Sequence, residues 1–144
     1  MFADFLRRLT TAQDPVPPLD QRLALAALLV RVARSDGHFD PAEADRIDRI
    51  LAGRYGLSPF EAVQLRSEAE ALEAEAPDTV RFTRAIKDAV PYEEREGVVE
   101  ALWSVVLADG ERDHEEDALL RLVASLLGVS DKDSGLARQR AARE

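Results

Sequence analysis

The 144-residue chain contains no cysteine, which excludes disulfides, thiolate metal sites, thiol redox chemistry and cysteine nucleophiles together. It also lacks any long apolar run. The longest, "LALAALLV" at 23–30, is far short of the ~20 residues a helix needs to cross a bilayer, so no integral membrane segment is expected. The body of the chain has no basic stripe and the net charge is -9, which argues against a nucleic-acid partner. No phosphate-cradling G-x-x-x-x-G-K-[ST], dinucleotide G-x-G-x-x-G or nucleophile-elbow G-x-S-x-G is present. The first residues, "MFADFLRRLTTAQD", lack the apolar core and small-residue cleavage site of a signal peptide, so a cytoplasmic location is expected. No segment alternates like a β-strand.

What is present is helical. With 46% hydrophobic and 33% charged residues the chain suits one globular domain and not a disordered one. Residues 1–18 read as a short amphipathic helix, with Phe2, Phe5, Leu6 and Leu9 opposing Arg7 and Arg8, followed by the stiff linker "DPVPP". Residues 19–144 read as the main domain. Its first helix is expected over 19–35 and is apolar nearly all round, so it belongs at the centre. The next opens at Asp40-Pro41 with Ile47, Ile50 and Leu51 inward. "GLSPFEA" is a stop and a start: Gly56 caps one helix, and Ser58 and Pro59 open another.

That helix places Ala62, Leu65, Ala69 and Leu72 inward, and Glu68, Glu70, Glu73 and Glu75 on what reads as a solvated face. Phe82, Ala85, Ile86 and Ala89 mark one side of a helix over 79–89. Pro91 starts the next, which ends in the apolar "VVEALWSVVLADG". Leu120, Val123 and Leu127 mark another, and a last short helix carries the basic "LARQRAAR", whose charge suits a helix C-terminus.

The pattern repeats internally. A hydrophobic helix, the motif D-G-x-x-D-x-x-E, an amphipathic helix and G-[LV]-S occur twice. Asp36, Gly37, Asp40 and Glu43 match Asp109, Gly110, Asp113 and Glu116. The expected fold is therefore all-α: a single-domain bundle of about seven to eight helices with an internal helix-loop-helix repeat.

The acidic motifs resemble the second half of a calcium loop, but the first half fails. With Gly37 at loop position 6, positions 1 and 3 are Val32 and Arg34; in the second copy they are Val105 and Leu107. Neither motif wraps a calcium ion alone. Helix capping accounts for most of each motif: Asp40 and Asp113 sit at N-cap positions three residues before Glu43 and Glu116, and Gly37 and Gly110 permit a tight turn. Asp36 and Asp109 fit less well, because each places a carboxylate at the C-terminal end of a hydrophobic helix. Compensation by an arginine, by the next helix's N-terminus or by a hard divalent cation such as Ca²⁺ or Mg²⁺ would each answer that charge. His38 and His114 lie in the same two loops at non-equivalent positions.

On "LLVRVARSDGHFDPAEADRIDRIL", "DTVRFTRAI" and "ALWSVVLADGERDHEEDALLRLVASLLGVS", the chain resembles the tellurite-resistance protein B-like (TerB-like) family over roughly 19–140. The N-terminal domain of membrane-anchored DnaJ-like co-chaperones looks similar. The resemblance implies an all-α bacterial module of tellurite resistance and stress response. Carried onto this sequence, its suspected divalent-cation contacts are Asp36, Asp40, Glu43, Asp109, Asp113 and Glu116. Arg112 departs from the hydrophobic residue usual between the motif's aspartates. The expected function is a non-enzymatic, acidic interaction module of a cytoplasmic stress response with a protein partner, a homodimer being compatible with it. The alternative is a co-chaperone-like scaffold with purely structural acidic loops; a metal-dependent hydrolase ranks below both.

Overall fold

The computed structural model of the protein describes residues 20–35, 37, 39–75, 78–108 and 114–143, at 114–116 through the backbone alone. Among them are seven helices and no strand: α1 (Gln21–Arg34), α2 (Pro41–Tyr55), α3 (Pro59–Glu75), α4 (Thr79–Ala89), α5 (Tyr92–Val106), α6 (His114–Leu126) and α7 (Asp131–Ala142). Residues 1–19, with the amphipathic stretch and the proline linker, lie outside the described residues.

The α1 helix starts slightly later than its apolar pattern suggests because Asp20 is its N-cap, with Oδ1 accepting from the Arg22 amide at 2.7 Å. Every residue from Ala24 to Ala33 is buried except Arg31. The helix touches α2, α3, α4, α5 and α6, so its all-round apolarity is satisfied on all sides. The second strongly apolar helix, α5, is the other inner element, packed against α1, α2, α6 and α7. Leu28, Leu29, Ile47, Phe82, Leu102 and Leu120 meet in the core between them.

The α2 and α6 helices end alike. Gly56 has φ +64° and Gly128 φ +77°, and in each case the next amide reaches back five residues, Leu57 to Ala52 at 3.0 Å and Val129 to Ala124 at 2.9 Å. Ser58 and Ser130 then cap the following helices. A Cβ at Gly56 would meet no atom within 4 Å. Gly56→Ala is therefore expected to lower stability by about 1 kcal/mol through the left-handed backbone alone, read from a urea midpoint that falls at unchanged slope.

Ser58 and Glu61 form a reciprocal box at the start of α3. The Glu61 amide donates to Ser58 Oγ at 3.1 Å and the Ser58 amide donates to Glu61 Oε1 at 3.0 Å. The Ser58 amide and then its hydroxyl hold the Glu61 carboxyl below its ordinary value of 4.5. A carboxylate with a depressed folded pKa stabilises above its unfolded pKa and loses that contribution as pH falls through the folded one. The protection of the amides at the start of α3, taken relative to their intrinsic exchange rates, is expected to fall as pH drops below the ordinary glutamate range, and Glu61→Gln to remove that step while keeping the cap.

Two details of the sequence reading need correction. Ala89 is exposed, because α4 turns only Phe82, Thr83 and Ile86 fully inward. The glutamates of α3 do not share one solvated face. Glu68 and Glu75 are exposed, but Glu70 and Glu73 turn toward arginines on α1. The basic end of α7 lies on α5: Arg140 reaches Glu96 at 3.7 Å and Glu100 at 3.6 Å, and Arg138 lies over the Trp103 ring. Beneath it, Trp103 Nε1 donates to Ser134 Oγ at 3.2 Å.

Candidate functional site

The first acidic motif sits where α1 gives way to α2. At the end of α1 the Ser35 hydroxyl donates to the Val32 carbonyl at 2.7 Å, and the Gly37 amide donates to the Arg34 carbonyl at 2.9 Å. Gly37 has φ +86°, the left-handed turn its lack of a side chain permits. The chain then extends through Phe39, which lies half-buried under the Arg34 guanidinium at 5.4 Å.

Asp40 is the N-cap of α2, and with Glu43 it completes the capping box that the spacing predicts. Asp40 Oδ1 accepts from the Ala42 amide at 3.0 Å, and the Asp40 amide donates to Glu43 Oε1 at 3.2 Å. Glu43 is fully buried, three residues into α2. One turn on, Arg46 donates to Ser104 Oγ at 3.0 Å and ties α2 to α5.

Of the six acidic positions, Asp40 and Glu43 are therefore brought together, and their oxygens hold backbone amides. Asp36, Asp109 and Asp113, like His38 and Arg112, lie outside the described residues, as do the side chains of Glu116 and His114. Among the described residues there is no group of three or more His, Cys, Asp or Glu side chains placed to hold a metal. The donor chemistry of the six, all oxygen, suits a hard cation. At Asp40 and Glu43 such a cation would compete with the capping amides.

Next to this loop is a charged cluster that the apolar pattern alone does not reveal. Arg31 Nε donates to Glu73 Oε1 at 3.3 Å, Nη1 to Thr79 Oγ1 at 3.0 Å and Nη2 to the Glu73 carbonyl at 3.2 Å. Arg34 Nη1 donates to Glu73 Oε2 at 3.0 Å, and Arg34 also pairs with Glu70 at 3.6 Å. The Arg31 and Glu73 side chains are only 12% and 14% exposed, so this is an inner fastening between α1, α3 and α4. Its sequence signal was the lone arginine interrupting "LLVRVA". A second fastening joins α2 to α3, where Arg66 donates to Asp48 at 2.6 Å and to Glu70 at 3.2 Å; the Asp48 bond raises the already high Arg66 pKa.

An open groove of about 300 Å³ lies between the start of α1 and the flank of α3. Leu23, Leu57 and Leu65 give it apolar surface, and Asp20, Glu61 and Glu68 give it negative charge. Around α3 from this groove, Phe60 is 71% exposed and Val63 40% exposed. No described helix is long and apolar enough to cross a membrane.

Comparison with known families matches residues 22–139 to the family described as Tellurite resistance protein TerB. No curated protein and no solved structure matches the chain.

Proposed function

The chain belongs to the TerB family, and from that premise we propose that it is a non-enzymatic helical interaction module of a cytoplasmic, tellurite-resistance-type stress response. In this reading its first acidic motif is architecture that turns α1 into α2. TerB is in general a non-catalytic domain, which agrees with this reading. The observation that carries it is the outward face of α3. Phe60 and Val63 stand in water there, one turn apart, while the core-facing side of the same helix is filled by Ala62 and Ala69. A phenylalanine so placed gives the fold little packing and offers an aromatic anchor to another protein.

The test is a photo-crosslinking amino acid in place of Phe60, in cells challenged with tellurite, with the same probe at exposed Ala142 as control. A discrete protein adduct formed from position 60, absent from position 142 and lost with Val63→Glu, supports the module. Equal labelling from both positions contradicts it.

A second reading adds a divalent cation bound through Asp36, Asp40, Glu43, Asp109, Asp113 and Glu116. It is favoured by the all-oxygen donor set and by the full burial of the Glu43 carboxylate. Its residues would hold a Ca²⁺ or Mg²⁺ ion whose chemistry is structural, joining the acidic turns. Asp36→Asn should then abolish any stabilisation by added cation, read as a cation-dependent rise in melting temperature in the parent protein only.

A further inference from the structure

The groove beside α3 lies at the point where the described chain begins. Its residue Asp20 is both the N-cap of α1 and part of the groove lining, so residues 1–19 join the domain at the groove's own edge. That segment carries one apolar stripe, Phe2, Phe5, Leu6 and Leu9, and two adjacent arginines, Arg7 and Arg8. The groove offers the complement. Leu23, Leu57 and Leu65 are apolar, and Asp20, Glu61 and Glu68 are acidic. Arg22, which also borders it, has its guanidinium over the Tyr55 ring at 5.4 Å.

We propose that the amphipathic segment before the proline linker docks intramolecularly in this groove, with its apolar stripe on the leucines, while Arg7 and Arg8, on the segment's outward face, are drawn at longer range by the groove's acidic rim.

The dimensions agree. Phe2 to Leu9 as a helix spans ~10 Å, the same rise as Glu61 to Glu68 along α3. Residues 10–19 reach ~30 Å even at the polyproline rise, ample for the chain to double back from Asp20. Tethering at the groove's edge makes the contact unimolecular, so an apolar stripe of only four side chains competes at high local concentration. The groove is open and at the small end of ligand pockets, which suits inserted side chains better than an enveloped metabolite. This inference is independent of the partner proposed for Phe60, which faces about a quarter-turn away around α3.

The absence of cysteine makes the test direct. A nitroxide is attached to the full-length chain through Ala3→Cys, and amide intensities are compared before and after reduction of the label. The expected result is a selective loss of intensity at Leu57, Glu61, Gln64 and Glu68 that is independent of protein concentration. Phe5→Ser with Leu9→Ser, which leaves every described core residue in place, should restore those intensities, and Glu68→Lys should weaken the effect. A mixed sample, with the nitroxide on an isotopically silent copy, separates the occupants. Loss appearing there to the same extent would make a second copy the occupant and overturn the proposal. Groove amides that keep full intensity in the labelled chain, or lose it regardless of Phe5 and Leu9, would overturn it equally.

Discussion

Replacing Phe82 with alanine is expected to destabilise the protein by about 3–5 kcal/mol, the largest effect of any single change considered for this fold. Phe82 is fully buried and is the largest such side chain, set where α4 meets α1. Its ring also lies 5.1 Å from the Arg31 guanidinium. Truncation therefore removes apolar burial, leaves a cavity and takes an aromatic face from a poorly solvated cation. Phe82→Leu should recover most of the loss, because volume returns although the ring does not. Urea unfolding followed by far-ultraviolet circular dichroism measures both; a Phe82→Ala midpoint close to that of the parent would contradict the packing described.

The next largest effect is expected at Glu73. Glu73→Ala removes the carboxylate that both Arg31 and Arg34 contact from α1. Breaking a buried ion pair from one side costs about 3–5 kcal/mol. The expected loss here is smaller, about 2–3 kcal/mol, because Arg31 keeps Thr79 Oγ1, the Glu73 carbonyl and the Phe82 ring. Since the side chains are largely withdrawn from solvent, the loss should persist in high salt. Glu75→Ala, two residues on and exposed, is the control and should change stability by less than about 0.5 kcal/mol. If both substitutions cost the same small amount, the α3 glutamates form an ordinary solvated face after all. Because Arg31 touches both Phe82 and Glu73, the two losses should not add, and a double-mutant cycle would measure the coupling.

These residues show what the sequence could and could not tell. The all-helical class, the central places of α1 and α5 and the stop-start at Gly56-Leu57-Ser58 were legible because each rests on a local rule: apolar surroundings, capping chemistry, a glycine at positive φ. The Asp40–Glu43 box was legible for the same reason, its two partners lying three residues apart. The Arg31–Glu73 fastening was not. Periodicity reports which face of a helix is polar, but Glu73 and Glu75 look alike until α1 is placed beside α3. The groove was illegible too, since Leu23 and Leu57 come from separate elements and only the packing of α1 on α3 joins them. Equivalence of the two acidic motifs remains an observation of the sequence, with Asp109, Gly110 and Asp113 outside the described residues.

Membership of the TerB family gives the chain a fold and a family context without assigning it chemistry. Within that context the central claim is that Asp40 and Glu43 serve the backbone. The most direct measurement is an amide NMR titration of the metal-stripped protein with Ca²⁺ and Mg²⁺, with Asp36→Asn and Asp109→Asn beside the parent. Gly37, Asp40 and Ala42 are expected to hold their shifts through the titration. Asp40→Ala is expected to cost about 1 kcal/mol of stability whether or not cation is present. Saturable shifts at those three amides, abolished in both aspartate variants, would contradict it and make the acidic turns a cation site.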